Sequence, residues 1–236
     1  MDEPSVAAHH PVVEETTTGL NHRKMLMWFF LGSDCLFFGA FIATYLVYRG
    51  QSLVGPFPKD VFDIPTTSVS TFALLMSSMA MVLAYAAINR GDMKAFRVWL
   101  LSTCILGSTF LGFQVFEFFE FANHERVVEC TADSQVEACL QGAHEYEEDY
   151  GLTPRTNLFG STFFTLTGFH GAHVTVGIIW LLSIWGYSVF GGRKAKRILT
   201  DRESLSVDLA ALYWHFVDIV WIVIFAVVYL IGVGVT

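Results

Sequence analysis

Apolar residues in this chain do not alternate with polar ones. They run in long blocks broken by short polar connections. Five blocks, at 25–48, 68–88, 96–121, 158–190 and 207–235, are long enough to cross about 30 Å of hydrocarbon at about 1.5 Å per helical residue. The pattern predicts an all-α, polytopic membrane bundle of five transmembrane helices. Residues 1–22 show no helical period and carry Pro4, Pro11 and three consecutive threonines, so they read as a flexible cytoplasmic tail before a transmembrane domain at 23–236. Asn21 is placed to cap the first helix. The short Asn89-Arg-Gly-Asp92 turn makes the second and third spans antiparallel neighbours. Gly168 and Ala172, one turn apart on the fourth span, give a small-residue face suited to close helix approach.

Of the 236 residues, 53% are hydrophobic and 15% charged, which leaves no room for a separate soluble domain. Charge sets the expected orientation. Arg23, Lys24, Arg90, Lys94, Arg97, Arg193, Lys194, Lys196, Arg197 and Arg202 fall on one side, against Arg49, Lys59, Arg126 and Arg155 on the other. The positive-inside rule then puts the N-terminus inside and the C-terminus outside. The first 22 residues are polar and slightly acidic, unlike a secretory leader, so direct insertion into a bacterial plasma membrane is expected. No P-loop, dinucleotide fingerprint or Ser/His/Asp signature is present. The basic run at 193–197 reads as a membrane anchor, not a nucleic-acid patch.

The exterior loop at 122–157 is acidic. Glu125, Glu129, Asp133, Glu137, Glu145, Glu147, Glu148 and Asp149 stand against Arg126 and Arg155, a net −6 from eight acids and two arginines. Such a surface reads as a plain solvated loop or as one that draws a soluble or tethered basic partner. Cys130 and Cys139 share this loop, where the compartment permits a disulfide that stabilises by about 2–3 kcal/mol. Cys35 and Cys104 fall inside spans and read as small packing residues.

Candidate chemistry lies in the polar residues inside the apolar blocks, because an ionisable group in hydrocarbon costs roughly 2.5–3.5 kcal/mol by insertion scales. Asp34 interrupts the first span. Gln114 and Glu117 share a face of the third, His170 and His173 of the fourth, and His215 and Asp218 of the fifth. Three readings are open on spacing alone: a metal site, a hydrogen-bond network between helices, or a seat for a lipid headgroup. The two His pairs are expected about 10 Å or more apart in depth, which argues against one shared metal.

Phe159-Gly-Ser-Thr-Phe-Phe164, continuing to Gly168-Phe-His-Gly-Ala-His-Val174 and Gly177, resembles the helix signature of subunit III of haem-copper terminal oxidases. So do Tyr213-Trp-His-Phe-Val-Asp-Ile-Val-Trp221, Leu111-Gly-Phe-Gln-Val-Phe-Glu-Phe118 and Ser33-Asp-Cys-Leu-Phe37. The resemblance covers every span but the weakly marked second and matches the five-span bacterial form. Asp34 and Asp208 stand where the cytochrome c oxidase members carry glutamates, the first being the family's carbodiimide-reactive carboxyl. Gln114 and Phe169 resemble the cytochrome c oxidases. The Ser-Asp-Cys form at 33–35 and the 59–65 connection resemble the quinol oxidases.

The resemblance implies a core subunit without catalytic residues of its own. It would bind no haem or copper, pack against catalytic subunit I with subunit II in the complex, hold structural phospholipid, and support proton uptake during oxygen reduction. Haem and copper would reside in the partner subunits. Composition agrees, since a catalytic haem-copper subunit needs about six membrane-embedded histidines, and this chain has His170, His173 and His215. The alternatives are subunit III of a quinol oxidase or an independent metal-dependent membrane enzyme.

Overall fold

The structure, a computed structural model, describes residues 21–51, 62–123, 125–129, 145–149, 151–191 and 204–231. Five helices carry the apolar blocks: α1 (His22–Tyr48), α2 (Ile64–Asn89), α3 (Met93–Ala122), α4 (Leu158–Phe190) and α5 (Ser204–Ile224). A six-residue π-helix, Phe225–Leu230, extends α5. All five are long and apolar enough to cross a membrane. The chain is a multi-pass membrane protein.

Helix ends follow the local chemistry. The Asn21 side chain accepts from the Arg23 amide at 3.0 Å, the expected cap. Asn157 caps α4 through the Gly160 amide at 2.7 Å. Between α2 and α3, Gly91 adopts φ +74°, a left-handed conformation that favours glycine, and the Asp92 carboxyl then accepts from the Lys94 and Ala95 amides. That tight reversal makes α2 and α3 extensively packed neighbours.

α3 packs on α4, and α5 packs on both α2 and α4; α1 lies outside, against α4 and α5. Trp214 locks the centre. A methyl group added at Gly107 of α3 would come within 2.7 Å of its ring, and one at Gly177 of α4 within 2.9 Å. Those two glycines exist for the indole. Gly168, expected to mediate close approach, would present a methyl group to nothing within 4 Å, so that small face looks outward instead. Cys104 is buried as expected, whereas Cys35 is exposed and is no core packing residue.

Eight residues of α-helix turn through about 800°, which would leave Tyr229 about 80° round from Trp221. The wider π turns remove most of that angle. Tyr229 and Trp221 are both 1% exposed, with ring centroids 6.2 Å apart.

Within 122–157 a short antiparallel ribbon forms, β1 (Glu125–Glu129) with β2 (Glu145–Asp149), which the hydrophobic pattern did not predict. The chain re-enters the bundle at Leu152, fully buried, whose amide donates to Phe121 O at 2.7 Å. The tail at 1–20 and the Cys130–Cys139 pairing lie outside the described residues.

Candidate functional site: an intramembrane polar core and a lateral groove

α2 supplies what the sequence left unmarked. Its buried face carries Thr67, Ser70, Thr71, Ser77 and Ser78, each small enough for a neighbouring helix to approach. Trp214 donates its indole proton to Ser77 Oγ at 3.0 Å, and Trp221 to Thr71 Oγ1 at 3.0 Å. Both hydroxyls donate their own protons to carbonyls of α2, Leu74 O and Thr67 O. Each hydroxyl is thereby satisfied as donor and acceptor, which a buried polar group in lipid requires. Sequence reasoning marks Ser77 and Ser78 only as small residues that let helices approach, and misses Thr67, Ser70 and Thr71 because a hydroxyl on an apolar helix looks like ordinary packing.

Gln114 and Glu117 do share a buried face of α3, as expected. Glu117 accepts from the Thr67 hydroxyl and, at 3.4 Å, from Tyr229, so one carboxylate ties α3 to α2 and to the π segment. Gln114 Nε2 donates to Thr167 O at 2.8 Å, and its amide lies against Gly171, where a methyl group would meet Oε1 at 2.8 Å.

His170 is fully buried. Its ring stacks on Trp221 at 4.9 Å and meets the edges of Phe110 at 5.9 Å and Phe38 at 6.4 Å, with no hydrogen-bond partner on either nitrogen among the described residues. His173, about 60° round α4 from His170, is partly exposed at the edge of the same face, its ring 4.9 Å from that of Phe38. Its Nδ1 donates to Phe169 O at 2.7 Å, its Nε2 faces Asp34 Oδ2 at 3.6 Å, and Tyr213 donates to its carbonyl at 2.9 Å.

That last contact corrects the expected depths. Tyr213 lies two residues before His215 and reaches His173, so the two His pairs overlap in depth; face, not depth, separates them. His215 neighbours Asp218 on α5, and Asp218 is buried with the Ser78 hydroxyl nearby, short of hydrogen-bond geometry. Asp208 sits apart from this core. It pairs with Lys24 at 2.8 Å and fastens the start of α5 to the start of α1. Among the described residues no three His, Cys, Asp or Glu side chains gather closely enough to hold a metal ion.

Beside the Asp34–His173 pair, a groove of about 410 Å³ opens laterally, walled by Phe30, Phe169, Ala172, Trp180 and Tyr213 among others. Its lining is almost wholly apolar, apart from His173 and the Tyr213 hydroxyl.

The motifs of α3, α4 and α5 thus meet around Trp214 and Trp221. The family profile described as Cytochrome c oxidase subunit III matches residues 124–233. Cytochrome c oxidase subunit 3 of Alkalihalophilus pseudofirmus is 35% identical over 225 residues, 95% of this chain and 93% of the relative. The chain belongs to the cytochrome c oxidase subunit III family. Quinol oxidase subunit 3 of Bacillus subtilis is 33% identical over 88% of this chain and 86% of its own length. Cytochrome bo(3) ubiquinol oxidase subunit 3 of Pseudomonas aeruginosa is 34% identical over 87% and 83%. Subunit III relatives of both donor classes therefore resemble this chain to nearly the same degree.

Proposed function

We propose that this chain is the subunit III of a bacterial haem-copper terminal oxidase, a structural subunit of the plasma membrane that carries no redox centre and acts through its neighbours. The observation that carries the reading is the full-length similarity to subunit 3 chains, 93% of the Alkalihalophilus pseudofirmus relative being covered. The geometry fits it. Glu117, Gln114 and the indole–hydroxyl bonds serve cross-helix attachment, and the lateral groove offers an acyl chain an apolar seat. The catalytic subunit and subunit II are the proposed partners, with phospholipid held between them. Asp34, His173 and Asp208 would act at the contact with lipid or with a neighbouring helix.

Purification through a tag on this chain tests the reading. A haem spectrum, copper and two larger membrane subunits in the eluate are expected; the chain eluting alone with stoichiometric metal would favour an independent membrane enzyme. Reducing the same complex in turn with a soluble cytochrome c and with a quinol identifies the donor. For orientation, the ten-to-four Lys/Arg asymmetry supports an inside N-terminus. A reporter active only in the cytoplasm, fused after Thr236, should be silent.

A second proposal concerns the acidic ribbon. Its register pairs Glu125 with Asp149, Val127 with Glu147 and Glu129 with Glu145. Directly opposite residues share a face of a ribbon, and alternate residues return to it. Five of the six residues at those paired positions are acidic in the sequence. Like charges placed opposite one another weaken a ribbon, and a basic partner on the exterior side would offset that cost.

A further inference from the structure

Where α5 meets α2, polar groups reach the outer surface of the bundle at a depth that lipid cannot serve. Each helix residue turns about 100°, so Asp218, Ile222, His215 and Ile219 stand about 40°, 80°, 100° and 140° round α5 from Trp214. Trp214 points inward and bonds Ser77 of α2. The arc therefore passes from the core, along α2, to the outside, and burial follows it. Trp214 is buried, Asp218 is 6% exposed, His215 is half-buried and Ile219 is 59% exposed. On α2, Val82 and Leu75 stand about 40° and 60° beyond Ser78 and are exposed as well.

The span containing α5 runs from Leu205 to Leu230, so His215 and Asp218 lie within about 4 Å of its midpoint. A phospholipid headgroup stays some 15 Å away, and the hydrocarbon at this depth neither donates nor accepts a hydrogen bond. Ionisable side chains in a span face protein or water and pair there. Here the pairing is incomplete. Asp218 is the acidic neighbour of His215, yet Asp218 Oδ1 and Ser78 Oγ are buried without a hydrogen-bond partner among the described residues.

We propose that the edge between α2 and α5 is a docking face for a transmembrane helix of a neighbouring subunit, centred on His215. Asp218 lies too deep to be touched from outside and acts as the carboxylate behind the ring. A carboxylate accepts and does not donate, so it draws one imidazole N–H and leaves the second nitrogen as an acceptor. The docking helix answers with a donor, a hydroxyl or an indole, while its apolar side chains pack on Ile219, Ile222, Leu75 and Val82. The small Ser78 lets the two backbones approach. The inference rests on the chain's place in a multisubunit oxidase and names the face by which it is held there.

The test uses the whole oxidase, first in its own membrane, with Ile219→p-benzoylphenylalanine as a photoreactive probe. Irradiation should join this chain to one other membrane subunit, and mass spectrometry should map the joint to a transmembrane segment of that subunit. The purified complex, without the probe, is then held at a fixed detergent concentration, and the ratio of shed to retained chain is measured. His215→Leu keeps apolar volume and removes the acceptor; it should raise that ratio about threefold, the average weight of one interhelical hydrogen bond in a membrane. His215→Gln keeps an acceptor and should behave like the unaltered chain. The docking face is overturned if the probe joins lipid alone or no protein, or if His215→Leu and His215→Gln shed the chain equally. Haem that copurifies with this chain while the probe finds no protein would sink the face and leave the subunit III reading standing. A chain that purifies without haem would sink both.

Discussion

His170 has the chemistry of a ligand and the surroundings of a phenylalanine. Its ring is stacked on Trp221 between two phenylalanine edges, and neither nitrogen finds a partner among the described residues. Aromatic packing therefore accounts for its place, and His170→Phe should keep the thermal stability of the assembled complex to within about 1.5 kcal/mol, as shape-conserving swaps do. His170→Ala should cost about 3 kcal/mol through the cavity left against Trp221. Differential scanning fluorimetry of the purified complex reads both; a large loss with phenylalanine would show that a ring nitrogen holds something. At this scale the sequence was half legible. Asp34, Gln114, Glu117, His170 and His173 stood out because ionisable and amide groups are costly in an apolar span. Thr67 and Thr71 did not, since a hydroxyl that bonds its own helix costs little and leaves no trace in hydropathy. Lys24 was counted only as a surface charge, although it is the partner of Asp208.

At the scale of elements, the spans were legible because about 20 apolar residues in a row have few alternatives to a membrane helix. The ribbon was not. Glutamate and aspartate are depleted in strands, and the Glu145–Asp149 segment has no apolar alternation to mark it. If its acidic residues guide a basic soluble donor, replacing Glu125, Glu129, Glu145 and Glu147 by Gln and Asp149 by Asn should raise KM for a positively charged cytochrome c by roughly 3–10-fold at low salt. The rise should come from slower association, with kcat little changed, and should fade near 0.3 M salt, where screening reaches only a few ångströms. Steady-state kinetics over a salt series checks it; an unchanged KM at low salt would make the ribbon a plain solvated loop. The small-residue faces illustrate a different limit. Spacing finds such faces, but only the structure distinguishes Gly107 and Gly177, filled by Trp214, from Gly168, which faces outward.

Across the whole molecule, the helices are joined by single polar attachments at several depths. Lys24–Asp208 fastens one end, the indole bonds the middle, and Glu117 with Tyr229 the other. Interhelical bonds of this kind average about 0.6 kcal/mol each in membranes, so they fix register more than they supply stability. A subunit built this way supports its neighbours by holding surfaces and lipid in place. Removing the chain from the oxidase should leave the haem spectrum unchanged and part of the initial turnover intact. Activity should then decline several-fold faster during continuous turnover, as followed by oxygen consumption. Loss of the haem spectrum would instead assign the chain a role in assembling the catalytic subunit.

The π segment at the end of α5 amounts to one residue of surplus length, and this gives the helix an unequal tolerance to shortening. Deleting Val227 would let Phe225–Leu230 wind as ordinary α-helix and bring Tyr229 seven residues, about two full turns, from Trp221. Its hydroxyl would still point toward Glu117. Deleting Ala211 in the regular part would instead swing every later side chain by about 100° and tear the indoles from Thr71 and Ser77. The Val227 deletion should therefore yield assembled complex, and the Ala211 deletion none, when the two are compared by native gel. One helix would then accept the loss of a residue at one end and refuse it a few turns away.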